Sequence, residues 1–295
     1  MTAPPIVLLT DFGLSDAYVG MMRGVIADIN SDVTVIDLTH GIAPQNISHG
    51  AAVLADSHRY FPSGSIFVAV VDPGVGTDRA AILLETPNAR FVAPDNGLLT
   101  LVCRQYEPTY GDTDTPGNSA IPNNCRAWRL TNAGYWRHPV SSTFHGRDVF
   151  APVAAHLSLD AAAELMGEPA PAITALSLPV PRPGGSTLRG QVIYADSFGN
   201  LITDITADIL QAVGISSGDP DVTVAIAGHT INGLSRTFHD PPPAVSANAF
   251  DNGLRALIGS HDRLEIARVD GSAAATLGVN GGAVVVIAVD GRERP

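Results

Sequence analysis

Apolar residues in the first 71 positions follow two different periodicities. Apolar-rich runs at 6–10, 33–37 and 66–71 predict three strands, and the unbroken first run is typical of a strand buried on both faces. Between them, apolar residues three or four positions apart predict helices over 18–29 and 51–60, the second of which is expected to start near Asn46 or Ser48. Strands that alternate with helices form βαβ units, so we expect an α/β domain with a largely parallel sheet flanked by helices.

The composition changes at residues 178–186, where Pro and Gly dominate as they do in linkers. Beyond this segment, short apolar runs separated by Gly and Asp predict strands over 190–195, 222–226, 263–267 and 282–287. This pattern suits a small β-barrel or sandwich. We therefore predict two domains, an α/β domain over residues 1–180 and a smaller, all-β, barrel-like domain over residues 188–295.

Each of the three N-terminal strands runs into an aspartate, namely Asp11, Asp37 or Asp72. Ligands of open α/β sheets bind beyond the carboxyl ends of the strands. Aspartate is also a common turn and capping residue, and Asp16 or Ser15 is placed to cap the first helix. Any one of these aspartates is explained by local structure, but three strand-end carboxylates together predict a ligand site at that edge.

Two loop motifs carry groups that can act on one water molecule. The sequence VVDPGVGTDR at 70–79 offers the Asp72 carboxylate and, seven positions on, the Arg79 guanidinium. The sequence TFHGRD at 143–148 adds the His145 imidazole ahead of a segment with helical spacing. A carboxylate, a guanidinium and an imidazole can together hold and deprotonate a water molecule. Taken singly, however, the Asp–Arg pair is more simply a structural ion pair, and the histidine a capping or core residue.

Composition narrows the classes of protein. The net charge of −12 lacks the basic footprint of a duplex nucleic-acid binder. The sequence contains 17 arginines and no lysine, which excludes a Schiff-base or P-loop lysine. Two cysteines without a CxxC spacing argue against a disulfide framework or a thiolate zinc site. The start of the chain lacks a signal-peptide pattern and no apolar run approaches a membrane span, so we expect a cytoplasmic protein without nucleic-acid or membrane partners.

Four motifs in this order resemble the S-adenosyl-L-methionine (SAM) hydroxide adenosyltransferase family, which is related to the SAM-dependent fluorinase and chlorinase. They are LTDFGLSD at 9–16, VVDPGVGTDR at 70–79, TFHGRD at 143–148 and DSFGN at 196–200. The resemblance spans nearly the whole chain. It implies that water or hydroxide attacks the ribose C5′ of SAM and releases adenosine and L-methionine. It also implies no cofactor and no metal, and a homotrimer whose active sites lie between the N-terminal domain of one subunit and the C-terminal domain of its neighbour.

The same resemblance implies a role for each candidate residue. Three residues are expected to position and activate the water: Asp72, Arg79 and His145. Six others are expected to bind SAM, at its ribose (Asp11 and Asp16), its adenine (Asn200) and its methionine end (Asp196, Ser260 and Arg268). Two of these positions have a plain alternative, because an Asx turn explains Asn200 and a solvated strand face explains Arg268.

Some positions depart from the related halogenases. Those enzymes typically carry a Tyr where Asp72 stands, which favours water over halide as the nucleophile here. Gln45 stands where the fluorinase has a Trp beside the substrate, and His261 follows Ser260 where the fluorinase has an Arg. We therefore expect adenine or ribose packing, and the binding of the substrate carboxylate, to differ from the fluorinase.

Three other functions remain open at this point. The first is a SAM-dependent halogenase that uses chloride. The second is a metal-dependent hydrolase with Asp11, Asp72, Asp148 and His145 as ligands, although no HxH or HExxH spacing supports it. The third is a SAM- or nucleoside-binding protein without catalysis.

Overall fold

The computed structural model describes residues 4–113, 115–178, 180–184, 187–240 and 253–289. The chain divides into two compact units, Met1–Pro179 and Val180–Pro295. Three residues of the expected linker, at positions 179, 185 and 186, lie outside the described residues. Within the described ranges, no helix combines the length and the apolar character that a membrane crossing requires.

A seven-stranded mixed sheet forms the centre of the first unit. In chain order, the strands of this unit are β1 (Ile6–Thr10), β2 (Val35–Thr39), β3 (Ser65–Val70), β4 (Ala81–Glu85), β5 (Ala89–Pro94), β6 (Gly117–Ala120), β7 (Arg126–Arg129), β8 (Glu168–Pro169) and β9 (Ala172–Ala175). The sheet order is β2-β1-β3-β5-β4-β7-β8, while β6 and β9 pair with each other.

The expectation of a largely parallel sheet is only partly right. Strands β2, β1, β3 and β5 run parallel, but β4, β7 and β8 are antiparallel to their neighbours. For β4 and β5 the reason is their short connection, across which the Thr86 N–H donates to the Ala89 carbonyl at 2.9 Å. A connection of three residues can join only antiparallel strands, because a parallel pair needs a long crossover.

Helices cover both faces of this sheet. They are α1 (Tyr18–Ile29), α2 (Ile47–Ser57), α3 (Thr100–Arg104) and α4 (Ala151–Leu157), and a π-helical turn, Gly146–Phe150, leads into α4. In β1, Val7 packs with the α2 and α3 side, whereas Leu8 packs with the α1 and α4 side. The unbroken apolar run of β1 is therefore buried on both faces, as the sequence predicts.

The starts of the first two helices test the expected caps. The side chain of Asn46 accepts a hydrogen bond from the His49 amide at 2.9 Å, which confirms one of the two expected starts of α2. The expectation for α1 is wrong, because its N-cap is Ala17 and no side chain caps it. The helix begins at Tyr18, so Ser15 and Asp16 lie too far from its first free amides to cap them.

The second unit is built on one antiparallel sheet. Its strands are β10 (Arg182–Gly184), β11 (Thr187–Ala195), β12 (Leu201–Thr206), β13 (Val222–Ile226), β14 (His229–Asn232), β15 (Leu254–Ile258), β16 (Arg263–Arg268) and β17 (Val284–Val289), with helices α5 (Ala207–Ala212) and α6 (Ala273–Leu277). The order is β14-β13-β17-β11-β12-β16-β15, with β10 on β11. Ser235, just after β14, bridges to Leu257 of β15 at the far edge, so the sheet is nearly closed and barrel-like.

Candidate active site

The carboxyl ends of β1 and β3 lie side by side, because Thr10 pairs with Val70 in the parallel register. Asp11 follows β1 directly and Asp72 follows β3 after one residue, so both leave the same edge of the sheet. The third expected strand-end carboxylate, that of Asp37, does not lie at the end of its strand. Asp37 lies inside β2, which extends to Thr39, and its side chain is already bound to Arg23 at 3.1 Å.

Asp72, Arg79 and His145 form one connected group. The Arg79 Nε donates to both oxygens of Asp72 at 3.0 and 3.1 Å, and its Nη2 donates to Oδ2 as well. The same Nη2 lies 2.9 Å from Nδ1 of His145. The side chains of Arg79 and Asp72 are only 10% and 5% exposed, and the guanidinium lies over the ring of Phe150 at 5.3 Å. This ion pair is therefore held away from solvent screening, unlike an ordinary surface pair.

Gly76 allows the two loops of this group to approach each other. Its φ of +78° is a left-handed conformation, and a Cβ at this position would lie 2.3 Å from the carbonyl oxygen of Ser142. Any other residue would therefore push the Asp72–Arg79 loop away from the loop that carries His145.

The bond from Arg79 fixes the tautomer of His145. A guanidinium has only donors, so Nδ1 of His145 must accept, and the proton of the neutral imidazole lies on Nε2. Burial lowers the pKa of His145 below its ordinary value and the Arg79 charge lowers it further, against the opposite effects of Asp72 and Asp148. Near pH 7, His145 is therefore neutral and offers its Nε2–H as a donor.

The two acidic residues of the first motif are held differently. Asp11 Oδ2 accepts the backbone N–H of Gln45 at 2.8 Å, and Gln45 has a φ of +62°. Its Oδ1 accepts no hydrogen bond from the residues that the structure describes. Asp16 is exposed, and within the same described ranges its side chain makes no hydrogen bond. The structure thus fixes the position of Asp11 but not that of Asp16.

An aromatic cluster joins the Asp11 loop to the His145 loop. The rings of Phe12, Tyr18 and Phe144 lie 5.2–5.8 Å apart, tilted or edge to face. A Cβ on Gly146 would come within 3.4 Å of the Phe12 and Phe144 rings. The Asp11, Asp72 and His145 loops therefore form one packed surface at the edge of the sheet.

The acidic residue next to His145 belongs to a separate ion pair. Asp148 is fully buried and accepts the Arg147 Nε and Nη2 at 2.7 and 2.8 Å and the Ser141 N–H at 2.9 Å. Burial alone would raise the pKa of Asp148, but the hydrogen bonds from Arg147 and Ser141 outweigh it and lower the pKa. Asp148 therefore anchors the loop that carries His145. Its ion-pair partner is Arg147, whereas that of Asp72 is Arg79.

We expect Asp148→Asn to lower the free energy of unfolding by about 2–3 kcal/mol at pH 7, because it leaves Arg147 without a charged partner. The folded-state pKa of Asp148 is lowered, so its stabilisation is complete above the unfolded-state pKa of about 4 and is lost as the pH falls through the folded value. Urea unfolding should show that the difference in the free energy of unfolding between the wild type and Asp148→Asn is smaller at pH 3.5 than at pH 7. Asp78→Asn, an exposed neighbour of the site, is the control, and equal stability of the two variants would contradict the expectation.

The proposed ligand set of a metal-dependent hydrolase is not assembled. Asp72 and Asp148 are each bound to their own arginine, Arg79 and Arg147. Among the described residues, no group of three or more His, Cys, Asp and Glu side chains has a geometry suited to a metal ion.

In the second unit, Asp196 and Asn200 form a tight turn between β11 and β12. Asp196 Oδ1 accepts the N–H groups of Phe198 and Asn200 at 2.9 and 2.8 Å. The Asn200 Nδ2 donates to Asp196 Oδ2 at 3.0 Å. The Asx turn that offers a plain explanation of Asn200 is therefore present, and it leaves the amide oxygen of Asn200 as an acceptor.

Ser260 and Arg268 do not converge. Ser260 is exposed in the turn before β16, and Arg268 is the last residue of that strand, roughly 17 Å further along it. Arg268 donates to Thr276 of α6 at 2.8 Å. The first turn of α6 also packs on the Asn200 turn, since the Ala274 N–H donates to the Gly199 carbonyl at 2.9 Å. Arg268 thus lies on the side of the Asn200 turn.

Glu265 is a buried carboxylate that the sequence patterns did not single out. It is 4% exposed in β16, and its Oε1 lies 3.8 Å from Nδ1 of His261. Burial raises its pKa and Asp196 raises it further, whereas His261 lowers it. An acidic residue between Leu264 and Ile266 in a predicted strand was the available signal.

Two protein-family models match most of the chain. The SAM hydroxide adenosyltransferase N-terminal domain matches residues 6–167, and the corresponding C-terminal domain matches residues 190–286. The two matches fall in the first and second structural units respectively.

Two relatives that cover nearly the whole chain carry the same name. A protein from Salinispora arenicola and one from Thermus thermophilus, each named (R)-S-adenosyl-L-methionine hydrolase, are 37% and 34% identical over 95% and 94% of this chain and 96% and 97% of their own. A fluorinase from Actinopolyspora mzabensis is 28% identical over 73% of this chain and 76% of its own. A solved structure of an uncharacterized conserved protein from Thermotoga maritima matches with a TM-score of 0.81 at 33% identity, over 96% of this chain and 99% of that one.

Proposed function

Because the chain belongs to the SAM hydroxide adenosyltransferase family, we propose that it hydrolyses SAM to adenosine and L-methionine by attack of water on the ribose C5′. Named SAM hydrolases are 34–37% identical over nearly the whole chain, and the fluorinase is more distant. The observation that carries the chemistry is the connected group of Asp72, Arg79 and His145 at the edge of the sheet.

The reaction needs help on the side of the water. The sulfonium of SAM is already a good leaving group, so no acid is needed there. Water is a weak nucleophile with a pKa of ~15.7, and a base that takes its proton during attack lowers the barrier. Attack by developing hydroxide on a sulfonium also neutralises charge, which a water-poor site favours.

In this proposal, Asp72 accepts the proton of the attacking water. Its Oδ1 takes one hydrogen bond from Arg79 and keeps acceptor capacity for a second donor. The Nε2–H of His145 donates to the water oxygen and orients a lone pair for attack. The guanidinium of Arg79 bonds to both Asp72 and His145 and so fixes their positions relative to each other.

The substrate-binding residues have proposed roles along SAM. Asp11, with Oδ1 available, binds the ribose hydroxyls, and Asp16 is the second candidate there. In the other unit, Asp196 meets the methionine ammonium, Ser260 the carboxylate and Asn200 the adenine. Arg268 lies beside the turn that carries both Asp196 and Asn200, and its proposed partner remains the methionine end of the substrate.

The quaternary structure and the location of the protein are further parts of the proposal. We propose a homotrimer in which the second unit of a neighbouring subunit contributes to each active site, and a cytoplasmic location. Sedimentation of the purified protein and mixing of inactive variants with defects in different units test the first. Fractionation of cells tests the second.

Incubation with SAM followed by chromatography tests the proposed function. We expect equal amounts of adenosine and methionine, unchanged by chloride or EDTA. A chloride-dependent 5′-chloro-5′-deoxyadenosine peak would identify a halogenase, and loss of activity in EDTA would identify a metal-dependent hydrolase. Binding of SAM without turnover over a day would identify a binding protein. Because the relatives' names specify the (R) form, each sulfur epimer should be followed separately.

The pH dependence follows from the state of His145. Because the pKa of His145 is lowered from its ordinary value of 6.5, the imidazole should stay neutral at pH values somewhat below 6.5. Activity should therefore stay level from pH 8 to below pH 6.5 and then fall as His145 becomes protonated. The protonated ring can no longer accept from Arg79. His145→Gln keeps an acceptor and a donor, so we expect kcat to fall about tenfold and to lose this acid limb. The exposed-histidine variant His229→Gln should keep the wild-type profile, and an unchanged acid limb in His145→Gln would contradict the assignment.

A further inference from the structure

A buried chain of polar side chains lies behind the Asp11 turn. Thr10 Oγ1 is 2.8 Å from Nδ1 of His40, and Nε2 of His40 is 3.2 Å from Oδ1 of Asp37. Asp37 Oδ2 in turn accepts Arg23 at 3.1 Å. Thr10 is fully buried and His40 is 4% exposed, so this chain is shielded from solvent at its inner end.

The donors and acceptors of this chain have one consistent direction. Thr10 Oγ1 accepts the Phe12 N–H at 3.2 Å, so its own hydroxyl proton is free to be donated to Nδ1 of His40. His40 then carries its proton on Nε2, on the side of Asp37. The Nε2–H does not point straight at the carboxylate, so the contact with Asp37 is electrostatic and not a well-aligned hydrogen bond.

His40 also fixes the backbone on the far side of Asp11. Its carbonyl accepts the Gly13 N–H at 2.8 Å, and Gly13 has a φ of +67°. Asp11 thus lies between Thr10, held by the His40 ring, and Gly13, held by the His40 carbonyl. Its Oδ2 is bound by the Gln45 amide, in the same loop that follows His40. The backbone before Asp11, the backbone after it and one of its own oxygens are all fixed by residues 40–45.

We propose that His40 is a positioning residue for Asp11. It is buried and acts through Thr10 and the Thr10–Gly13 turn, which it holds in the conformation that presents Asp11 Oδ1 to the ribose hydroxyls. This inference rests on the proposed function, in which Asp11 binds the ribose of SAM. A carboxylate that is held in place before binding loses less entropy when the substrate arrives, so the chain from Thr10 to Asp37 contributes to affinity without touching the ligand.

The alternative is that His40 is only a satisfied core histidine. The two explanations differ in what a variant changes. If His40 only packs in the core, its substitution lowers stability and affects all substrates equally. If His40 positions Asp11, its substitution raises KM more than it lowers kcat, and it does so only for substrates that carry the ribose hydroxyls which Asp11 binds.

The experiment compares Thr10→Val, which removes the hydroxyl at nearly constant volume, with Thr10→Ser, which keeps it. Each is assayed with SAM and with 2′,3′-dideoxy-SAM. We expect Thr10→Val to lower kcat/KM for SAM about tenfold, mainly through KM, and to change kcat/KM for the dideoxy substrate less than twofold. Thr10→Ser should retain most of the wild-type kcat/KM. In an Asp11→Asn background, Thr10→Val should have little further effect.

A second pair keeps the test decisive if Thr10→Val does not fold. The amide oxygen of His40→Asn can occupy the place of Nδ1, whereas His40→Leu has no acceptor, so only the leucine variant should lose discrimination between the two substrates. Equal losses for SAM and the dideoxy substrate, or no loss for either, would overturn the inference. Wild-type protein is assayed alongside, and its failure to release adenosine from SAM would refute the proposed function itself.

Discussion

Asp72→Ala should reduce kcat for SAM hydrolysis by about three orders of magnitude while the fold is retained. Asp72 is the group that accepts the proton of the attacking water in our proposal. The variant also leaves Arg79 without the carboxylate that receives its Nε–H, so the guanidinium can shift and His145 can lose its hydrogen bond. Both effects lower kcat, whereas KM for SAM should change little because Asp72 acts on water.

A second variant separates proton transfer from position. Asp72→Asn keeps the shape and one acceptor for Arg79 but is no longer a base, so it should be nearly as slow as Asp72→Ala. Asp78→Ala, an exposed aspartate of the same loop, is the matched control and should keep wild-type kcat. Circular dichroism and thermal unfolding establish that each variant is folded. Undiminished turnover in Asp72→Ala would remove Asp72 from the mechanism.

Arg79→Lys should reduce kcat by about two to three orders of magnitude although the positive charge is kept. Arg79 bonds Asp72 through Nε and Nη2 and His145 through Nη2, and it also donates to the Ala80 carbonyl through Nη1. A single ammonium on a flexible stem cannot reproduce this fork. His145 would lose the donor that fixes its tautomer, and the water would lose its orientation.

The measurement is kcat as a function of pH for wild type and Arg79→Lys. We expect the variant to be slow at every pH, because the defect is geometric and not a change of charge. Arg189→Lys, an exposed arginine of β11, should behave as wild type. Wild-type kcat in Arg79→Lys would show that only the charge matters and would contradict the geometric role of the guanidinium.

Local features of the fold were predictable from the sequence where one physical preference dominates. The unbroken apolar run of β1 and the Asn46 cap of α2 are examples. The direction of β4 was not predictable, because an apolar strand has the same pattern in a parallel or an antiparallel pair. Asp37 was misplaced because β2 ends two residues later than its apolar pattern indicates, which puts Asp37 inside the strand.

Which candidate residues lie close together in the site could not be predicted, because it depends on contacts between loops that the spacing of residues in the sequence does not reveal. The motifs named Asp72, Arg79 and His145, but the Gly76–Ser142 contact that lets their loops approach becomes visible only in the fold. Ser260 and Arg268 flank one strand in the sequence, and the length of that strand keeps them apart. His40, like the buried carboxylate in β16, was passed over because a lone polar residue in an apolar segment has no signature until its partners are known.

Hydrolysis of SAM in H₂¹⁸O, with mass spectrometry of both products, tests the central claim most directly. If the water held by Asp72 and His145 attacks the ribose C5′, each adenosine should carry one ¹⁸O atom in its 5′-hydroxyl, and the methionine formed in equal amount should carry none. Unlabelled adenosine, or methylthioadenosine with labelled homoserine, would place the attack elsewhere and contradict the proposed mechanism.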